Sequence, residues 1–163
     1  MTEDEKYIQR YLALVDDHDI PTGLQRSKEE TLDLFGNISE EQSLYAYAEG
    51  KWTLREVLQH LLDAERISMY RALRFARHDK TPLPSWDEEV YSDNSFANSR
   101  TLSSLLTEFQ QVRDGSHSFF TSLQPAVLTL SGTANNQKIS VETLGRLIIG
   151  HNRHHLNIVK ERY

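Results

Sequence analysis

The sequence contains no cysteine. That excludes disulfides, thiolate metal ligands, cysteine-ligated iron–sulfur clusters and a cysteine nucleophile, and it fits a reducing, cytoplasmic setting. Any metal site must then be built from His, Asp, Glu or backbone oxygen. Proline and glycine are sparse, 4 and 7 residues, so few positions interrupt a helix. No apolar run approaches the ~20 residues needed to cross a bilayer. The start, MTEDEKYIQR, lacks the basic stretch and apolar run of a signal peptide. Positive charge is in deficit, 18 Lys+Arg against 24 Asp+Glu for a net charge of -6. This disfavours a nucleic-acid partner, whose binding surfaces are basic. No repeat or low-complexity segment is present. What remains is a soluble globular chain of 163 residues, enough for one domain with a real core. Residues 1–163 are expected to form that domain, with 1–21 as an N-terminal extension packed on it.

The apolar residues that are present follow helical spacing. Residues 53–78 hold no Pro or Gly, and Leu54, Val57, Leu58, Leu61, Leu62, Ala64, Ile67, Met69, Leu73 and Phe75 recur mostly at steps of three and four, the mark of an amphipathic helix. Thr53 with Glu56 forms a capping-box pair at its start. Residues 101–123 form a second helix, with Leu102, Leu105, Leu106, Phe109, Val112, Phe119, Phe120 and Leu123 inward and a bend expected at Gly115-Ser116. The last helix runs from Val141 to about Arg162, capped by Ser140. Its expected seam is Leu144, Ile148, His151, His155, Ile158 and Arg162. Residues 22–35 and the shorter 6–15 complete the helices, separated by Asp19-Ile20-Pro21. Residues 81–99 read as a long link. Residues 126–139 read as a loop with short strands at 127–130 and 138–140. Four main helices indicate an all-α four-helix bundle.

Among 7 histidines, three fall on inward faces. His151 and His155 are four residues apart, one above the other on the last helix, and His60 lies on the Val57–Ala64–Ile67 stripe. Two imidazoles at i and i+4 converge on one ion, and a third from a facing helix makes a three-nitrogen site with open positions for water or substrate. A buried histidine is otherwise a core residue with a hydrogen-bond partner, and spacing alone does not choose between the two. His154 falls off the seam, and His18, His78 and His117 read as surface or helix-end residues. The zincin pattern fails because no Glu follows His151, and di-iron Glu-x-x-His motifs are missing.

Two segments resemble the signatures of DinB-like proteins, including the YfiT-like branch of metal-dependent hydrolases: KWTLREVLQHLLDAER (51–66) and GHNRHHLNIVKERY (150–163). The first carries Gly50-Lys51-Trp52-Thr53 followed by His60, Asp63 and Glu65. The second carries His151 and His155. YIQRYLALVDD and LPSWDEEVY are also similar. The resemblance implies an up-down-down-up bundle. It also implies His60, His151 and His155 as ligands to nickel, zinc, iron or manganese, an order of preference imidazole ligation does not fix. Relatives include S-transferases that use bacillithiol or mycothiol, and homodimers are common. Asn152 stands where the family often has an acidic residue.

Two functions follow as expectations. One is a hydrolase or thiol-dependent S-transferase acting on a small molecule, its metal activating water or a low-molecular-weight thiol. The other is a non-catalytic metal- or ligand-binding module of the stress-response kind, with a purely structural acidic dimer as the remaining possibility. Asp63, three residues after His60, is a candidate to orient an imidazole, or else it pairs with Arg66 at the surface. Asp87 and Glu88 are loop carboxylates able to approach the open site but read first as solvated loop charges, and Trp52 and Trp86 as packing anchors.

Overall fold

The computed structural model describes residues 3–163, with side chains from residue 5 onward. Four long helices make the frame: α2 (Ile20–Gly36), α3 (Leu54–Ala76), α5 (Leu102–Ser122) and α7 (Val141–Arg162). Smaller elements join them: α1 (Glu3–Leu12), α4 (Glu88–Asp93), α6 (Pro125–Leu128), and strands β1 (Ser131–Ala134) and β2 (Gln137–Ser140). Among the described residues, no helix is long and apolar enough to cross a membrane.

Each long helix starts at a side-chain cap, which satisfies an otherwise orphaned amide. The caps are Asp19, Thr53, Thr101 and Ser140, and Thr53–Glu56 forms the full reciprocal box. Asp19-Ile20-Pro21 therefore begins α2, with Pro21 in the first turn where its missing N–H is harmless. Gly115 does not break α5, which runs unbroken past it.

α3 packs on α5 and α7, and α2 packs on the same two. Thus α2 and α3, consecutive in the chain, sit diagonally. Paired positions set the directions. Gly145 meets Ile20 and Asn152 meets Thr31, so α2 and α7 run together. His60 meets His151 while Leu54 and Val159 share one cluster and Phe75 and Val141 another, so α3 opposes α7. Leu54 clusters with Leu102 and Phe75 with Phe120, so α3 and α5 run together. The order is up-down-down-up.

The core has two apolar halves. One gathers Phe35, Leu58, Leu62, Leu105, Phe109 and Leu156, and the other gathers Leu24, Phe75, Phe120, Leu144 and Ile149. A polar layer lies at the level between them. Arg113, 1% exposed, donates to Glu65 in a bidentate pair at 2.9–3.1 Å, to the Leu24 carbonyl at 3.1 Å, to Ser27 Oγ at 2.6 Å and to Asn152 Oδ1 at 2.8 Å. Asn152 Nδ2 donates to Thr31 Oγ1 at 2.8 Å. All four bundle helices contribute. A separate clamp holds the α1–α2 turn to α7: Arg153 donates to Asp17, Glu30 and the Leu14 carbonyl. α1 then lies along α7 so closely that a methyl group on Gly150 would strike the Tyr11 carbonyl.

Several expectations shift. The buried stripe of α7 ends on Leu156 and Val159, whereas Ile158 is half-buried and Arg162 exposed. The stripe of α5 passes through Arg113 and Ser116, polar residues the apolar pattern overlooked. The expected strand at 127–130 does not form: Val127 and Leu128 end α6, which Pro125 opens, and the hairpin pairs Ser131–Ala134 with Gln137–Ser140 around Asn135-Asn136, both at positive φ. The 81–99 link contains α4, which positions part of the site below.

Candidate metal centre

α3 and α7 face each other one to two turns inside the bundle end. His60 sits on the second turn of α3 and is 4% exposed. His151 and His155 occupy successive turns of α7, on the side of its buried stripe that faces α3. The three Nε2 atoms converge: His60 to His151 at 3.0 Å and His155 to His151 at 3.1 Å. The ring centroids lie 4.6–4.8 Å apart. Among the described residues, these three form the cluster of His, Asp or Glu side chains whose donor atoms come together tightly enough for one metal ion.

The arrangement fits an ion. Imidazole nitrogens bind at about 2.0–2.1 Å, so two ligands at right angles on one ion lie about 3 Å apart, as the two contacts through His151 do. The charge state fits as well. Burial lowers the pKa of His60 to about 4. Burial, then the neighbouring His60 and His154, lower that of His155 to about 3. Burial, followed by the other imidazoles, holds His151 well below the usual histidine range. At neutral pH all three are unprotonated and offer lone pairs, the form a metal requires.

Aromatic rings wall the centre. Trp52 lies 4.8 Å from the His60 ring, Trp86 stacks on it at 5.8 Å, and Tyr11 meets His151 edge-on at 5.4 Å. Trp52 is partly a packing residue, joined to the C-terminus where Tyr163 Oη donates to its carbonyl, but Trp86 borders the open cleft. The cleft is a narrow opening with a cavity volume of about 130 Å³. Tyr7, Ala64, Ser68, Arg71 and Leu147 continue its walls.

The candidates separate clearly. His60, His151 and His155 come together. Asp63 faces along its own helix, where Gln59 Nε2 donates to it at 2.9 Å, and no hydrogen bond joins it to His60. Asn152 turns away from the imidazoles to Arg113 and Thr31. His154 packs its ring on Tyr11 at 5.0 Å. His18 and His78 are exposed, His78 in the left-handed conformation just past α3. Glu88 stays half exposed, as a solvated charge would, and also approaches the site, the other reading of this carboxylate. Asp87 caps α4 through the Glu89 and Val90 amides, and this turn brings Glu88 Oε2 to 3.9 Å from His60 Nε2. Burial and the neighbouring Glu89 and Asp87 push the Glu88 carboxyl upward. Its signal in the sequence was the Asp-Glu-Glu run directly after Trp86, a capped helical turn rather than a loop.

A family model described as the DinB superfamily matches residues 24–159. A protein of Oceanobacillus iheyensis named "Putative metal-dependent hydrolase OB0413" is 30% identical over 57 residues, which cover 34% of this chain and 32% of that protein. The chain thus aligns with about a third of that relative's length. The solved structure of YfiT from Bacillus subtilis, described as "a probable metal-dependent hydrolase with an unusual four-helix bundle topology", superposes with a TM-score of 0.66 at 20% identity, over 99% of this chain and 87% of that one.

Proposed function

The chain belongs to the DinB superfamily, and from that premise we propose that it is a metal-dependent enzyme, a hydrolase of a small molecule, with His60, His151 and His155 holding a divalent cation. One observation carries the reading: three unprotonated imidazoles, His60 buried and His151 and His155 half-buried, converge on a single point at the edge of an open cleft. Three protein ligands leave coordination positions free, as catalytic sites do and closed structural sites do not. When bound, such an ion makes water, or a thiol brought in from solution, acidic enough to act as a nucleophile at neutral pH.

The chain's own residues supply the rest. The imidazoles fix the position of the reacting centre. Trp52 and Trp86 exclude bulk water from one side of it, which strengthens every charge interaction there. Glu88 Oε2 is the carboxylate placed to accept a proton from a group at the centre. The sequence has no cysteine, so an S-transferase version of the reaction takes its thiol from a low-molecular-weight cofactor.

The test is metal analysis of protein purified without an affinity tag, with zinc, nickel, manganese and iron titrated in turn. We expect one bound ion per chain, lost in His60→Ala and His151→Ala. Unchanged metal content in those variants would refute the site. Assay of the loaded protein against esters and amides, with and without an added thiol, separates hydrolysis from thiol transfer. A loaded chain inert to both supports the non-catalytic module.

A further inference from the structure

Arginine pairing in this molecule follows a rule with one exception. Arg55, Arg74, Arg100, Arg113, Arg146 and Arg153 are each withdrawn from solvent at least in part, and each has a carboxylate partner. Arg71 is also partly withdrawn, yet among the described residues no carboxylate pairs with it. Its one hydrogen bond runs from Nη2 to the Pro84 carbonyl at 2.8 Å. A guanidinium taken part-way out of water without a counter-charge is costly unless something else supplies one.

Its position says what that is. His60, Ala64, Ser68 and Arg71 follow one another at steps of four, four and three, and all four line the same cleft. Arg71 is three helical turns from His60 on the same face, about 16 Å along the axis at 1.5 Å per residue. A helical side chain leans toward the N-terminus of its helix, here toward His60. Between them the wall is Ala64 and Ser68, small residues that leave room, and the opposite side presents Trp86, Leu147 and Ile148. Of the two acids that line this cleft, Glu65 is taken by Arg113 and Glu88 lies at the histidine end. The donors of Arg71 not committed to Pro84 form a planar edge that matches a carboxylate.

We propose that Arg71 anchors the anionic end of the substrate, a small carboxylate with an apolar body whose far end reaches the three histidines. This rests on the metal-centre reading above and names the class of molecule that the centre serves. Arg71 sets which molecules bind, and Ala64 and Ser68 leave the path between the two ends open.

The probe is 4-phenylbutanoate, compared with 4-phenylbutanamide by calorimetric titration into the full zinc-loaded chain. The expected result is a preference for the acid of roughly tenfold or more, the usual worth of a charge-assisted hydrogen bond. In Arg71→Met the acid loses about that factor and the amide does not. Arg71→Lys, which keeps charge without the planar edge, retains part of it. Arg71→Gln reads the same effect if methionine unsettles the link at Pro84. A wild-type ratio near one, or a ratio that survives both Arg71→Met and Arg71→Gln, overturns the proposal; the second result would place the carboxylate on the metal. Zinc content, measured on each variant, is expected to stay at the wild-type level. A wild-type chain that takes up no metal refutes the three-histidine reading by itself, and the same titrations on the metal-free chain still decide the role of Arg71.

Discussion

Two buried polar groupings lie side by side in this bundle and obey opposite rules. Around Arg113, unlike groups meet. Every donor faces a carboxylate, a carbonyl, a hydroxyl or an amide oxygen, and the only charges are one guanidinium against one carboxylate. Around His151, like groups meet. Three imidazoles turn the same kind of atom toward a common point, and the nearby carboxylate, Glu88, stands 3.9 Å from His60 Nε2 and half exposed. The sites are physically joined, since His151 and Asn152 are adjacent in sequence and point into one and the other. The comparison teaches how to tell scaffold from site without reference to function. A buried polar network that closes on itself holds the fold, and one that turns like atoms toward an opening suits something that arrives from outside.

The largest way to break this contrast is on the closed side. Glu65→Ala strands the buried Arg113 guanidinium, and we expect a loss of about 3–5 kcal/mol in urea unfolding, as for other broken buried pairs. A loss below about 1 kcal/mol would mean that Arg113 finds water and that the layer is not closed.

Acid sharpens it from the open side. The folded chain keeps His60 neutral down to about pH 4, whereas the unfolded chain protonates it near pH 6.5. Between those values the unfolded state binds more protons, so stability falls as pH is lowered through that window. Metal-free protein should therefore lose urea stability between pH 7 and pH 5, and His60→Leu should shrink that loss by about 2 kcal/mol. Equal losses in both proteins would show that the triad is already hydrated.

The smallest effect tests the border. Asn152→Asp places a second carboxylate on Arg113 and removes the donor to Thr31, whose own hydroxyl donates to the Ser27 carbonyl at 2.8 Å. Two acceptors then face each other, and a loss of about 1–2 kcal/mol is expected, with zinc affinity unchanged. A large change in zinc affinity would show that the two groupings act as one.

Much of this was legible in the sequence because helices advertise themselves. The capping residues Thr53 and Ser140 and the three- and four-residue steps place α3, α5 and α7. The i,i+4 pair His151–His155 with His60 opposite needs only the bundle to become a cluster. The closed network was hidden in plain spacing. Glu65 follows Leu61 by four, Arg113 follows Phe109 by four and Asn152 follows Ile148 by four, each on the buried stripe. An apolar count passes over them because it registers polarity and not position. Trp86 and Glu88 were harder, since what they touch depends on how the 81–99 link folds back on α3. That path is set by contacts distant in sequence, such as Arg71 to Pro84 and the pairing of Leu83 with Ala134.

Gly150 has a reach beyond its own helix. Because it has no side chain, the carbonyl of Tyr11 can rest against α7, and Tyr7 and Tyr11 are held at the rim of the cleft. The residue next to it, His151, belongs to the floor. The width of the entrance is thus governed by an atom that is missing from one residue, and the residue that follows belongs to the candidate metal centre. A side chain placed at position 150 would therefore press first on the rim, through the Tyr11 carbonyl.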